Sequence, residues 1–136
     1  MSIKNGKIFL MVLFLFSITS QAYSFDICAE GKKGLTDTNI VYSEYFDSHL
    51  KDHNAAGYAK VRDVYPTSTG HQYFLKLDCG NDVILLTKSE SAFVKDIKMW
   101  QQVSFSGEVK SWKKVFYRES DKYYIEITLS DSSISY

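Results

Sequence analysis

Residues Lys88–Gln102, KSESAFVKDIKMWQQ, have the spacing of an amphipathic helix. Their large apolar side chains recur at positions i, i+4 and i+7: Phe93, Ile97 and Trp100. Thr87 and Glu90 stand three residues apart just before this stripe, as in a capping box that begins a helix. The sequence therefore predicts one helix over Lys88–Gln102, with its apolar face against the core.

Extended segments with a period of two lie on both sides of this helix. Three precede it and two follow it: Tyr58–Tyr65, His71–Cys79, Asp82–Thr87, Val103–Val109 and Tyr123–Leu129. The order strand-strand-strand-helix-strand-strand matches the OB-fold. We therefore predict a mainly β protein, a five-stranded OB-fold-like Greek-key barrel in which the helix plugs one open end. A five-stranded sheet covered by the helix is the alternative.

The first 24 residues have the parts of a secretory signal peptide. Lys4 and Lys7 precede the apolar run Ile8–Phe16, and cleavage after Ala22 or Ser24 satisfies a small-x-small rule. This run is much shorter than the roughly 20 residues that a membrane-spanning helix needs. We predict a periplasmic or secreted protein without a transmembrane segment in its mature chain. An uncleaved N-terminal anchor is the alternative.

The two cysteines, Cys28 and Cys79, both follow the signal segment. Because an exported chain meets an oxidising compartment, we predict that they form one structural disulfide. Asp26–Asp37, which contains Cys28, is polar with two glycines and is predicted to be a tethered loop, whereas Asn39–Asn54 has the spacing of a short N-terminal helix. The predicted organisation is a signal peptide (1–24), a disulfide-tethered lead-in with a short helix (25–57) and the barrel (58–136).

The charge balance and the motifs argue against several functions. Without Lys4 and Lys7, the mature chain carries 14 Lys and Arg against 16 Asp and Glu, which makes nucleic acid an unlikely partner. His49 and His53 lie one helical turn apart, but no third ligand for a metal accompanies them. No catalytic motif is present, so we expect a protein that is not an enzyme and needs no cofactor or metal.

The stretch Ser111–Lys122, SWKKVFYRESDK, mixes cations with aromatic rings. The residues that we predict to bind a ligand are Trp112, Lys113, Lys114, Phe116, Tyr117 and Arg118. In an OB-fold this stretch joins the last two strands, and that connection commonly contacts the ligand. Cations beside stacking faces suit single-stranded nucleic acid, an anionic glycan or an acidic protein surface. We predict that the hairpin binds a small ligand, a glycan or a protein. The alternative is a solvated long hairpin made of ordinary strand residues.

Short motifs also resemble those of a known family. They are HLKD before the first strand, QYFLKL followed by a tight turn, and VSFSGEV with Trp112 shortly after. Over roughly Glu44–Leu129, the chain resembles the bacterial periplasmic OB-fold family. It departs from that family in its cysteine pair and in the long segment between its last two strands. The resemblance implies an exported, non-enzymatic binding or stress-related module of the cell envelope.

A second resemblance is to the pentameric B subunits of secreted toxins, which are also small exported barrels with one disulfide. It implies a secreted glycan-binding subunit that assembles into a ring. A third reading of this small exported barrel is an inhibitor of an enzyme such as lysozyme.

Overall fold

A computed structural model describes residues 25–90 and 92–136, so the predicted signal peptide lies outside the described residues. The helices are α1 (Ile27–Thr36) and α2 (Asn39–Tyr45), which continues as a π-helical turn (Phe46–Leu50), and a short 3-10 helix (Ala92–Asp96). The strands are β1 (Asn54–Pro66), β2 (Tyr73–Gly80), β3 (Val83–Ser89), β4 (Gln102–Tyr117) and β5 (Lys122–Ser135). In the described part of the chain, no helix has the length and apolar character needed to cross a membrane.

The five strands form a closed barrel in the order β1-β2-β3-β5-β4. Neighbouring strands are antiparallel except β3 and β5, which run parallel with Val83 beside Ile125. Pairing of β1 with β4, from Asn54 opposite Glu108 to Lys60 opposite Gln102, closes the ring. One parallel pair within an otherwise antiparallel five-stranded barrel is the topology of the OB-fold. The predicted fold class is therefore confirmed.

The core fills the inside of the barrel, because alternate residues of each strand point inward. The fully buried strand residues include Val61, Leu75, Leu77, Val83, Leu85, Val109, Ile125 and Ile127. Gly107 is buried in the same row, and the β4–β5 register shifts between Ser106 and Glu108. A glycine is typical of such a bulge, where a strand bends around a barrel.

The predicted helix over Lys88–Gln102 is wrong. β3 extends to Ser89, which pairs with Tyr73, so the first two residues of the predicted helix belong to a strand. At the other end, Trp100 N–H donates to the Val61 carbonyl, which ties the chain to β1. Strand pairing at both ends thus leaves room for only the short 3-10 helix.

The capping box is also absent, since Thr87 lies within β3 and its Oγ1 donates to Ser132 Oγ. The predicted apolar stripe divides accordingly. Ile97 packs partly against the core, whereas Trp100 is 54% exposed. The side chain of Phe93 lies outside the described residues. Val94, which lies beside the predicted stripe, is fully buried.

Helix α1 covers the end of the barrel where β3 and β5 begin. The predicted loop over Asp26–Asp37 is therefore wrong. Asp26 caps α1 by accepting hydrogen bonds from the Cys28 and Ala29 amides. Gly31 and Gly34 are not helix breakers here, because they let α1 approach the buried side chains of the barrel closely.

Helix α2 confirms the predicted short N-terminal helix, although β1 begins at Asn54 rather than at Tyr58. The predicted disulfide is also confirmed. It joins Cys28 in the first turn of α1 to Cys79 near the end of β2, with the Cα atoms 5.4 Å apart. This bond fixes α1 to the barrel wall.

Candidate functional site

The predicted ligand-binding stretch is mostly strand. β4 continues to Tyr117 and β5 begins at Lys122, so only the residues between them form a turn. Cross-strand pairs run out to Tyr117 opposite Lys122. The shape of this long β4–β5 hairpin agrees with the alternative given above, a long hairpin made of ordinary strand residues. Because side chains alternate between the two faces of a strand, it divides the six predicted residues between two surfaces.

One face of the hairpin packs on the helices. Trp112 meets Tyr42 edge to face at 4.7 Å and lies 6.3 Å from the Phe46 ring. Burial raises the pKa of Tyr42, which stays protonated and donates its hydroxyl to the Glu30 carbonyl. Trp112 therefore has a structural contact in the helix layer.

Further out on that face, Lys114 and Phe116 both lie against Tyr123. The Lys114 ammonium is 5.3 Å from the centre of the Tyr123 ring, and the Phe116 ring is 5.0 Å from it. A cation above an aromatic face is a weakly favourable contact at an exposed site. These three side chains form a small exposed cluster at the hairpin tip.

The opposite face of the hairpin carries Lys113 and Tyr117. Lys113 Nζ lies 3.0 Å from Glu126 Oε1, and this hydrogen bond raises the pKa of Lys113. Tyr117 donates its hydroxyl to Glu119, and that bond raises the Tyr117 pKa, although the nearby Arg62 guanidinium acts to lower it. Arg62 of β1 and Tyr117 line the same two depressions, so the hairpin tip lies near β1. Arg118 begins the turn and is exposed.

A groove lies between this hairpin face and β1. It consists of two adjoining depressions of about 360 and 310 Å³, which share Arg62, Ile84, Tyr117 and Tyr124. Depressions of this size fall within the range of small-molecule sites. The groove crosses the outer surfaces of β2 and β3, the face on which OB-folds generally bind ligands.

The floor of the groove is built from buried residues of β3 and β5. Ile84 is 4% exposed and Glu126 is 7% exposed, and the two are paired across the parallel strands. Because Glu126 is bound to Lys113, the floor presents a compensated charge rather than an isolated carboxylate. Lys76 and Asp78 of β2 continue the floor toward β1.

The wall on the β1 side holds residues that sequence reasoning assigned elsewhere. Met99 and Trp100 line the second depression, and Trp100 also borders a third depression of about 460 Å³ beside Tyr58 and Cys79. The sequence places Trp100 in an apolar stripe of helical spacing, and such a stripe predicts a core residue. In the structure Trp100 instead lies in an exposed turn. Arg62 reaches the groove because a bulge shifts the β1–β2 register between Val61 and Asp63.

His49, the first histidine of the pair, packs on an aromatic ring. His49 stacks on Tyr45 at 4.7 Å, with Nδ1 near Ser48 Oγ. Within residues 25–90 and 92–136, no group of three or more His, Cys, Asp or Glu side chains is arranged to hold a metal ion.

No protein-family model and no curated protein matches this chain. Among solved structures, it is similar to a replication protein A heterotrimer bound to ssDNA, with 12% identity and a TM-score of 0.35 over 60% of this chain. It is also similar to an aspartyl-tRNA synthetase from Entamoeba histolytica, with 20% identity and a TM-score of 0.42 over 76% of this chain. The chain spans 55% of the first protein and 22% of the second. Strand order and groove together define a small OB-fold barrel with one long surface cleft.

Proposed function

We propose that this chain is an exported, non-catalytic binding module that holds its ligand in the groove between the β4–β5 hairpin and β1. The observation that supports the proposal is a groove with exposed aromatic side chains on both walls and, on its floor, a carboxylate whose charge is balanced by a lysine. Tyr117 is 39% exposed on one wall, while Ile84 and Glu126 close the floor beneath it. Such a cleft offers stacking faces and convergent polar groups to a ligand.

Export is supported by two independent features of the chain. The disulfide joins Cys28 to Cys79, and such bonds persist in oxidising compartments. The N-terminal 24 residues have the composition of a signal peptide. The resemblance to the bacterial periplasmic OB-fold family agrees with this proposal and supplies the cell envelope as the place where the module acts.

The binding half of the proposal is tested with matched variants on a panel of probes. The panel holds neutral glycans, acidic glycans, a deoxythymidine decamer and lysozyme. Removing one wall with Tyr117→Ala should weaken the strongest interaction about tenfold, whereas Tyr117→Phe, which keeps the ring, should retain most of it. Ile40→Ala removes an apolar side chain that is 74% exposed on α2, away from the groove, and serves as the control. Wild-type binding that does not depend on Tyr117 would contradict the proposal.

Two further measurements test its other parts. The protein recovered from outside the cytoplasm should begin just after Ala22 or Ser24, which its intact mass reports. A bound probe should be recovered with unchanged mass, since we propose no reaction. A ring-sized mass in solution would favour the toxin-like subunit, and loss of lysozyme activity would favour the inhibitor.

A further inference from the structure

The turn that carries Trp100 has a backbone conformation that tryptophan seldom adopts. Its φ is +67°, in the left-handed region, where a bulky non-glycine residue is an outlier. Gln101 N–H donates to the Lys98 carbonyl and closes a four-residue turn in which Trp100 is the third residue. Turns with a positive φ at that position favour glycine or asparagine. The backbone conformation of this turn therefore disfavours tryptophan at its third position.

Contacts with β1 hold this conformation in place. Trp100 N–H donates to the Val61 carbonyl at 2.5 Å, and Val61 N–H donates to the Gln101 carbonyl at 2.9 Å. Val61 also precedes the bulge that directs Arg62 to the groove. One fully buried residue thus positions both the indole and the guanidinium on the same wall.

The Trp100 indole adds little buried apolar surface to offset the strain of this backbone conformation. Trp100 is 54% exposed, although its side chain is among the largest apolar groups available for a core. Backbone strain that persists without a packing gain is concentrated at functional sites. We propose, resting on the binding function above, that Trp100 is the stacking platform of the groove and that its ligand is an uncharged oligosaccharide.

Charge favours an uncharged ligand over an anionic one. Among the described residues, the three depressions are lined by four cations and four carboxylates: Lys60, Arg62, Lys76, Lys122, Asp63, Asp78, Asp82 and Glu126. Because these charges are equal in number, a phosphodiester or polyanionic glycan would gain no net attraction from the lining. Sugar hydroxyls can instead donate to carboxylates and accept from cations in the same cleft.

The shape of the groove favours the same ligand. The face of a sugar ring that carries C–H groups is apolar and packs on an aromatic ring, while the hydroxyls at its edge remain free for hydrogen bonds. Trp100 borders two of the three depressions, so a ring stacked there would have polar groups on both sides. The three depressions share lining residues with one another, so a chain of several sugar units could extend from one to the next.

The test uses the intrinsic fluorescence of the groove itself. The chain has two tryptophans, so Trp112→Phe leaves Trp100 as the single indole. The probes are chitotriose, maltotriose and N-acetyllactosamine, with sialyllactose, a heparin hexasaccharide, a deoxythymidine decamer and an arginine-rich peptide as the other arms. Saturable quenching or a blue shift with a neutral sugar is the expected result. No change with any neutral sugar would overturn the inference.

Variants of Trp100 separate stacking from folding. Trp100→Asn suits the positive φ, so it should keep or raise the thermal midpoint while weakening sugar binding at least about tenfold. Trp100→Phe should restore part of the affinity, and Ile40→Ala should leave it unchanged. A lower thermal midpoint for Trp100→Asn would assign the indole to folding and overturn its role as a platform.

The outcomes also distinguish this inference from the proposed function. The protein could bind an acidic glycan, the decamer or the peptide in a way that requires Tyr117 but not Trp100. That result would support the proposed binding module and contradict an oligosaccharide as its ligand. If neither side chain matters for any bound probe, both proposals fall.

Discussion

Gly31 sets how closely α1 can approach the barrel. A Cβ built on Gly31 would lie 2.8 Å from Val83 Cγ1 and 3.0 Å from Ile127 Cδ1, both on fully buried side chains. Valine is stiff at χ1, so it cannot easily move aside. We expect overpacking in Gly31→Ala to cost about 2 kcal/mol and the gain in helix propensity to offset about 1 of these. Urea denaturation should therefore show a net loss of about 1 kcal/mol.

Lys32→Ala is the matched control for this prediction, because the neighbouring side chain is exposed. Its stability should stay within about 0.5 kcal/mol of the wild type. A Gly31→Ala protein at least as stable as the wild type would contradict the close contact between α1 and β3.

Trp112 supports the helix layer rather than the groove in this structure. Its ring contacts Tyr42 and Phe46, and it is partly buried. We expect Trp112→Ala to lower the free energy of unfolding by about 2 to 3 kcal/mol, somewhat less than a fully buried tryptophan would. Affinity for the groove ligand, measured well below the unfolding transition, should change little. A large loss of affinity without loss of stability would restore Trp112 as a ligand contact.

The candidate site was only partly predictable from single residues. Tyr117 and Lys113 stand out because cations alternate with aromatic rings in the last hairpin. That pattern does not say which face each residue occupies, and Lys114 and Phe116 lie on the other one. Trp100 stands out in the sequence as part of an apolar stripe, but its place on the groove wall depends on hydrogen bonds to Val61, far away in sequence.

At the scale of elements, a polar cluster joins α1 to α2. Glu30 accepts hydrogen bonds from Lys33 at 2.8 Å and from the Tyr45 hydroxyl at 2.6 Å. Partial burial acts to raise the Glu30 pKa, but the bonds from Lys33 and Tyr45 outweigh it, and the pKa is lowered from its ordinary value of 4.5. The ionised carboxylate therefore stabilises the folded state above pH 4.5, and this contribution is lost as the pH falls through the lowered pKa.

Glu30→Gln tests this cluster. We expect the variant to lose about 1 kcal/mol of stability at neutral pH, because the bonded charge is only partly shielded from water. The difference from the wild type should shrink as the pH falls below 4.5. Glu44→Gln, at an exposed position of α2, is the control and should show no comparable change. A deficit that grows in acid would contradict the sign of the shift.

The strands could be predicted better than the helices, for a physical reason. Alternation within β2 and β4 reflects burial on one side, and that pattern is local. Lys88–Gln102 carries a helical pattern too, but β3 and Val61 take its two ends. For Asp26–Asp37 a loop is predicted where the structure has a helix, because glycines usually indicate a loop. Here they allow close packing of the helix against the barrel.

At the scale of the whole molecule, the two ends of the barrel are closed by different means. Helix α1 covers the end where β3 and β5 begin, and Val94 of the 3-10 helix enters the core from the connection that follows β3. Among its described residues, that connection has only the short 3-10 helix, so the turn at Trp100 can form a wall of the groove. A helix that continued to Gln102, as predicted, would leave no such turn.

The disulfide secures this arrangement, and its removal should be costly. Cys28 and Cys79 are 51 residues apart in sequence, and closing a loop of that length removes about 4 kcal/mol of unfolded-chain entropy. That is a large part of the roughly 5–15 kcal/mol by which a domain of this size is stable. We expect Cys28→Ser/Cys79→Ser to lose about 4 kcal/mol in urea denaturation.

A reductant provides the control for this prediction, since it should destabilise the wild type by a similar amount and leave the double variant unchanged. A loss below about 1 kcal/mol would contradict the loop-closure account and would mean that the packing of α1 alone holds the end of the barrel closed. Because Cys79 lies between Asp78 and Gly80, which line the groove, the same comparison with a bound probe reports whether tethering α1 also shapes the ligand site. Equal affinity of the oxidised wild type and the double variant for the probe would exclude that link.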